Sequence, residues 1–222
     1  MAIDFSGPEG KDLLAKLIPQ FDVLIENFGA GVLDRLGLGY DVMQKINPNL
    51  VYCALKGFLS GPYEKRAALD EVVQMMGGLA YMTGPEGNPM RAGASVNDVM
   101  GGLFGVIAIQ AALWERQQTG KGTFVRSGLF ESNMFLVAQH MVQYRQTGIA
   151  AAPMPERVSA WAVYDVFATA DGKKIFVGVV SDKQWVLFCN AFELESLLQD
   201  AELQTNAQRV TCRNAFMPIL QE

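Results

Sequence analysis

Two short apolar runs, residues 22–28 (Asp-Val-Leu-Ile-Glu-Asn-Phe) and 50–58 (Leu-Val-Tyr-Cys-Ala-Leu-Lys-Gly-Phe), flank two stretches of helical periodicity at residues 32–36 and 40–46. Asn47-Pro48 ends the second stretch before the next run begins. Strands separated by helices cannot pair as hairpins. They pair in parallel, with the helices crossing over the sheet faces. The expected fold class is therefore α/β: an incomplete Rossmann-like parallel sheet with helices, followed by part of a smaller α+β domain.

The flanking segments extend this pattern. Residues 1–6 alternate weakly and read as a short strand. Ser6, Pro8 and Glu9 read as a helix start, with Leu13, Leu14, Leu17 and Ile18 as its apolar face. Ser95 and Asp98 read as a second capping box, opening a long helix that closes at Gly120-Lys121-Gly122. Gly101, Gly105, Ala108 and Ala112 form a small-residue stripe on that helix, read as tight core packing. Residues 123–129 read as a strand and 130–147 as a helix. After a linker rich in Ala and Pro the pattern changes. Residues 164–169 and 174–180, joined by Asp171-Gly172, form a β-hairpin signal, and Ser181 caps a helix through Phe192. The expected domains are 1–149, the large domain with a linker helix, and 150–222, the start of a small α+β domain.

Composition narrows the function. Half of the 222 residues are hydrophobic and 18% are charged, enough apolar material for a sizeable core. A net charge of −5 without blocks of like sign argues against a nucleic-acid partner. The three cysteines (Cys53, Cys189, Cys212) form no CxxC pair and no cluster with the single histidine, His140. A cytoplasmic location and no metal are the expectation. The first residues have no basic region followed by an apolar run, so no secretory signal is read. The uncharged stretch from Val99 to Trp114 is shorter than the ~20 residues a spanning helix needs, and no membrane partner is expected.

Gly29-Ala30-Gly31 follows a strand and precedes a helix, half of a dinucleotide fingerprint. Asp34 stands where the third glycine belongs, which argues against a pyrophosphate on this turn. The turn remains a place for an extended ligand to cross, because open sheets bind ligands at the carboxyl ends of strands. Lys56 ends the strand on the same face and could meet a phosphate or carboxylate, or simply be solvated. His140 reads as a partly buried helix histidine. Asp70 stands at the start of an apolar helix that runs toward Thr83-Gly84-Pro85. A carboxylate there lies at the positive end of the helix dipole, an interaction of ~0.3–1 kcal/mol. It is the charged carboxylate that acts as a nucleophile. Asp is also a common N-cap, so both readings stay open.

Longer motifs carry a resemblance that bears on these readings. Glu26-Asn27-Phe28 with Gly31-Val32-Leu33-Asp34-Arg35-Leu36-Gly37-Leu38-Gly39-Tyr40 resembles a signature of the class III CoA-transferases, the superfamily of formyl-CoA transferase, carnitine CoA-transferase and alpha-methylacyl-CoA racemase. Ile46-Asn47-Pro48-Asn49-Leu50-Val51-Tyr52, Lys56-Gly57-Phe58 and Gly61-Pro62-Tyr63 follow in order. Leu69-Asp70 with Gln74, Gly78 and Thr83-Gly84 is similar to the catalytic segment, and Thr119-Gly120-Lys121-Gly122 to the later turn. The resemblance implies covalent catalysis, with Asp70 accepting the acyl group as a mixed anhydride and then CoA as a thioester. It also implies that Asn27, Phe28, Val32, Arg35 and Leu36 line coenzyme A, with Lys56 a weaker carry-over. Arg35 would offer charge to the CoA phosphates or ribose.

The racemase branch carries a His before the matching Asp. Here that position is Leu69, which exchanges no proton, and Asp98 lacks a partner base. The resemblance therefore implies a transferase acting on an acyl-CoA and a carboxylic acid. A racemase or isomerase of the same superfamily is the alternative, and a non-catalytic fragment that binds no CoA is another. Members of the family are longer at both ends and form interlocked dimers. The chain is thus expected to be incomplete, with a homodimer as its assembly.

Overall fold

The computed structural model describes residues 2–157 and 159–221. The chain divides into two compact units, Met1–Glu156 and Arg157–Glu222.

The first unit begins with α1 (Pro8–Leu17), entered through Gly7, with Pro8 in its first turn. Residues 2–6 form no strand, contrary to the expectation from their alternation, and Met1 lies outside the described residues. The Asp4 carboxylate instead accepts the Ser6 N–H at 2.9 Å, a local turn that competes with extended pairing. Ser6 does not cap α1.

The chain then runs through β1 (Val23–Glu26), α2 (Val32–Leu36), α3 (Tyr40–Ile46), β2 (Val51–Lys56), α4 (Asp70–Met76), α5 (Leu79–Thr83), α6 (Val96–Thr119), β3 (Phe124–Gly128) and α7 (Leu129–Thr147). The three strands form one parallel sheet in the order β1-β2-β3, with Val23 opposite Val51 and Tyr52 opposite Phe124. The parallel α/β architecture read from the sequence is present.

The alternation of β2 explains both layers. Leu50, Tyr52 and Ala54 point to one face, where they pack with Met43, Leu33, Leu38 and Ile18. Val51 and Cys53 point to the other, against Ile109 and Ala112 of α6. A parallel strand covered on both faces reads as a near-continuous apolar run, as β2 does from Val51 to Leu55 before it ends in Lys56. The small-residue stripe lets α6 approach. A Cβ on Gly101 would stand 2.9 Å from Leu129 Cδ2, and one on Gly105 would stand 2.8 Å from Leu55 Cδ2. By length and composition α6 is also apolar enough to cross a membrane.

The apolar segment that starts at Asp70 is not one helix. It breaks at Gly77-Gly78, where Gly78 takes φ 84°, and restarts as α5. Gly78 is the residue that reaches this left-handed backbone without strain.

The second unit holds the hairpin of β4 (Val163–Ala168) and β5 (Lys174–Val179), followed by α8 (Asp182–Ala191), α9 (Glu195–Gln199), α10 (Asn206–Thr211) and α11 (Arg213–Gln221). Ser181 caps α8 by accepting the Gln184 N–H, as its position suggests. The core of this unit is Trp185, Val163, Phe167 and Phe216. The buried Arg209 pairs with Asp182 and lies 5.0 Å over the Trp185 ring.

Candidate active site

The carboxyl ends of β1 and β2 open on a cavity of about 650 Å³ in the first unit. Three local devices build its walls. Glu26, the last residue of β1, is buried. Its carboxylate accepts the Phe28 N–H at 2.8 Å and pairs with Lys56 Nζ at 2.6 Å. Lys56 Nζ also donates to the Phe28 carbonyl at 2.7 Å. The strand ends therefore pin the Asn27-Phe28 turn at the cavity mouth. Gly57 then lets the chain fold back, since a Cβ there would fall 2.2 Å from Ala68 Cβ. That contact delivers Leu69 and Asp70 to the end of β2.

Asp70 is 3% exposed yet lines the cavity. It does not cap its own helix. Its Oδ1 accepts the backbone N–H of Asn97 at 2.8 Å and of Asp98 at 3.4 Å, both in the first turn of α6. The side chain expected to cap α6, that of Ser95, makes no capping bond. A carboxylate from another segment has taken that place, and the 24-residue helix aims the positive end of its dipole at it.

The other oxygen, Oδ2, accepts Gln74 Nε2 at 2.6 Å, with Arg91 Nε at 3.5 Å. Gln74 is fully buried and has its own anchors: its Oε1 accepts the Ala92 N–H at 2.8 Å. Arg91 pairs with Glu71 at 2.8 Å and donates to Ser95 Oγ at 2.9 Å. Beneath them, Asn133 Nδ2 donates to Asn97 Oδ1 at 3.2 Å, both side chains being buried. Each side of Asp70 thus meets fixed donors, while the cavity gives an approach to it.

The expected site residues divide. Asn27, Phe28, Lys56 and Asp70 line one cavity. Val32, Arg35 and Leu36 do not. They lie on α2 beside it, where Leu36 packs on the sheet core and Arg35 is exposed. Asp34 is exposed, and its Oδ1 leaves no room for a Cβ at Gly39, from which it would lie 2.0 Å. Lys56 is committed to Glu26 and Phe28, so it organises the turn as well as facing the cavity. Gln74, Arg91 and Asn97 complete the setting of Asp70. Gln74, one helical turn from Asp70, already stands in the catalytic-segment motif, whereas the separation of Arg91 and Asn97 in sequence hides their part.

Asp98 also lines the cavity. Its carboxyl is held above the ordinary range by burial first, then by the charges of Asp70 and Glu71, with Arg91 opposing. A carboxyl raised in the fold weakens the fold once pH exceeds its unfolded value. Asp98→Asn should therefore raise Tm at pH 7 and change it little near pH 3, where both states are protonated. Thermal melts at the two pH values check this; an equal shift at both would contradict it.

Comparison with known proteins gives concordant results. The sequence matches the model of "CoA-transferase family III" over residues 1–222. It is 33% identical over 222 residues to a succinyl-CoA:glutarate CoA-transferase of Mus musculus, covering 99% of this chain and 51% of that protein. It is 35% identical over 209 residues to a succinate–glutarate CoA-transferase of Agrobacterium fabrum, covering 93% and 52%. An acetyl-CoA:oxalate CoA-transferase of Acetobacter aceti is 32% identical over 213 residues, covering 95% and 54%. A crystal structure of a CAIB/BAIF family protein from Brucella suis superposes with a TM-score of 0.83 at 35% identity, covering 99% of this chain and 58% of that one. The chain spans about half the length of the curated relatives it matches.

Proposed function

This chain belongs to CoA-transferase family III, and from that premise we propose that it moves coenzyme A from an acyl-CoA to a free carboxylic acid, with Asp70 as nucleophile. The observation that carries the reading is the Asp70 carboxylate: buried, held by donors on both oxygens, and open to the cavity at the strand ends. A group that only stabilised the fold would have no need to line that space.

The reaction takes four exchanges through one side chain. A carboxylate oxygen of Asp70 attacks the thioester carbon, the C–S bond breaks, and CoA leaves as thiolate with the acyl group now a mixed anhydride. The thiolate attacks the Asp70 carboxyl carbon and releases the donor acid, leaving an aspartyl-CoA thioester. The acceptor carboxylate attacks that thioester and expels the thiolate. The thiolate then takes the acceptor acyl group and frees Asp70. Every intermediate stays activated, so no step starts from an unactivated acid. No proton is moved, which agrees with Leu69 beside Asp70.

Asn27, Phe28 and Lys56 would meet coenzyme A at the cavity mouth, and Val32, Arg35 and Leu36 would bound its path outside the cavity. A homodimer is part of the same proposal. The relatives' names pair their CoA donors with glutarate and oxalate, both dicarboxylic acids. A small dicarboxylic acid is our inferred acceptor here, its second carboxylate meeting Arg66. Arg66 lines the cavity with its guanidinium 5.0 Å over the Tyr63 ring. Arg66→Ala should raise KM for a dicarboxylic acceptor roughly tenfold or more and leave that for a monocarboxylic acceptor nearly unchanged, since bonds to charged groups are worth ~1.5–3 kcal/mol. Equal increases for both acids would assign Arg66 elsewhere.

Isotope transfer tests the nucleophile. With an acyl-CoA donor and an acceptor acid carrying heavy oxygen in its carboxylate, the four exchanges leave one heavy oxygen on Asp70. Mass spectrometry of the peptide containing Asp70 should show it after turnover. Turnover without heavy oxygen on that peptide would refute the anhydride route.

A further inference from the structure

The donors on the two oxygens of Asp70 differ in what they can do once one oxygen loses its charge. On Oδ2, Gln74 Nε2 has a second acceptor in the Ala94 carbonyl at 3.4 Å. Arg91 keeps Glu71 and Ser95. On Oδ1, the N–H groups of Asn97 and Asp98 belong to the first turn of a helix, where no carbonyl of the helix can reach them. They are fixed in backbone, and a buried N–H left without an acceptor is costly.

Acylating Oδ1 would turn it into a poor acceptor and orphan the two donors that cannot turn away. Acylating Oδ2 releases only donors that have other partners. Resting on the assignment of Asp70 as nucleophile, we propose that Oδ2 carries the acyl cargo, and that Oδ1 remains a carbonyl oxygen whose developing charge is received by the backbone N–H groups of Asn97 and Asp98. When the thiolate attacks, sulfur bonds to the Asp70 carboxyl carbon and the C=O electron pair moves onto Oδ1. The pair returns as the C–Oδ2 bond breaks, and the donor acid departs with Oδ2. The acceptor step reverses this path. The α6 terminus is therefore an oxyanion site for the enzyme's own carboxyl, already occupied by the charge it will stabilise.

The test compares Asn97→Pro with Asn97→Ala. Proline is tolerated in a first helical turn and removes the N–H. Alanine keeps the N–H and removes only the side chain. On mixing with an acyl-CoA, Asn97→Pro should form the aspartyl-CoA thioester roughly 100-fold more slowly than Asn97→Ala, read by intact mass. Equal rates would overturn the proposal. A second measurement needs no variant. In the wild-type thioester, isotope-edited infrared spectroscopy should place the Asp70 carbonyl stretch below that of a thioester in water, because two donors polarise it. A stretch at or above the water value would overturn the proposal even if Asn97→Pro failed to fold. Absence of any Asp70 adduct in the wild type during turnover would instead defeat the nucleophile assignment, so the two failures are distinguishable.

Discussion

Asp70→Asn is expected to lower CoA transfer by roughly 10⁴-fold or more, the scale for removing a covalent nucleophile. The substitution keeps the volume of the side chain, so the cavity survives. It changes the bonding on one side. An Asn amide can still accept the Asn97 and Asp98 N–H groups through its oxygen. Its NH2 then faces the Gln74 Nε2 donor and Arg91, where the carboxylate had accepted. Gln74 cannot rotate to offer its oxygen without abandoning the Ala92 N–H. Some loss of stability therefore accompanies the loss of chemistry, about 1–3 kcal/mol for the unmatched donors. Melting the variant separates the two effects: a fold that remains intact at the assay temperature with no transfer supports the assignment. Transfer within tenfold of wild type would place the chemistry elsewhere.

Gln74→Leu is expected to be the most damaging change at a residue outside the cavity wall. The side chain is fully buried and makes a bond at each end, to Asp70 Oδ2 and from the Ala92 N–H. Leucine fills similar space and serves neither. An unpaired N–H and an under-solvated carboxylate oxygen together cost about 3 kcal/mol, which urea unfolding would read as a lower midpoint. Transfer should fall about 100-fold as well, because a nucleophile displaced by an ångström loses that much. Gln74→Glu distinguishes positioning from packing. Its carboxyl would face a carboxylate at hydrogen-bond distance, and one proton shared between them restores the missing donor. Its activity should recover as pH falls, where wild-type activity does not rise. Loss of activity independent of pH would reduce Gln74 to a packing role.

Sequence made the sheet legible because β1 and β2 are apolar runs bounded by strong breakers, and such runs carry their own pairing logic. The hairpin of β4 and β5 was legible for the same local reason, an Asp171-Gly172 turn between β-rich runs. Non-local effects were not. Residues 2–6 alternate like a strand but close a local turn through Asp4 and Ser6 instead. Ser95 has the residue type and spacing of a cap, yet Asp70 reaches in from a distant segment and takes the α6 amides. The Gly77-Gly78 break needed knowledge of what lies against Gly77, where a Cβ would strike Asn133 Oδ1. In the site, the family motif led to Asp70 and the Asn27-Phe28 turn. It did not reveal that Lys56 is held by Glu26, or that Arg91 and Asn97 converge on Asp70, because such partners meet only after the sheet has formed.

The most direct measurement is chemical mapping of the covalent intermediate. The protein is incubated with an acyl-CoA, reduced with borohydride or cleaved with hydroxylamine, digested and sequenced by mass spectrometry. The modification should fall on Asp70 alone and disappear in Asp70→Ala. A modification at another side chain, or equal labelling of wild type and Asp70→Ala, would contradict the account.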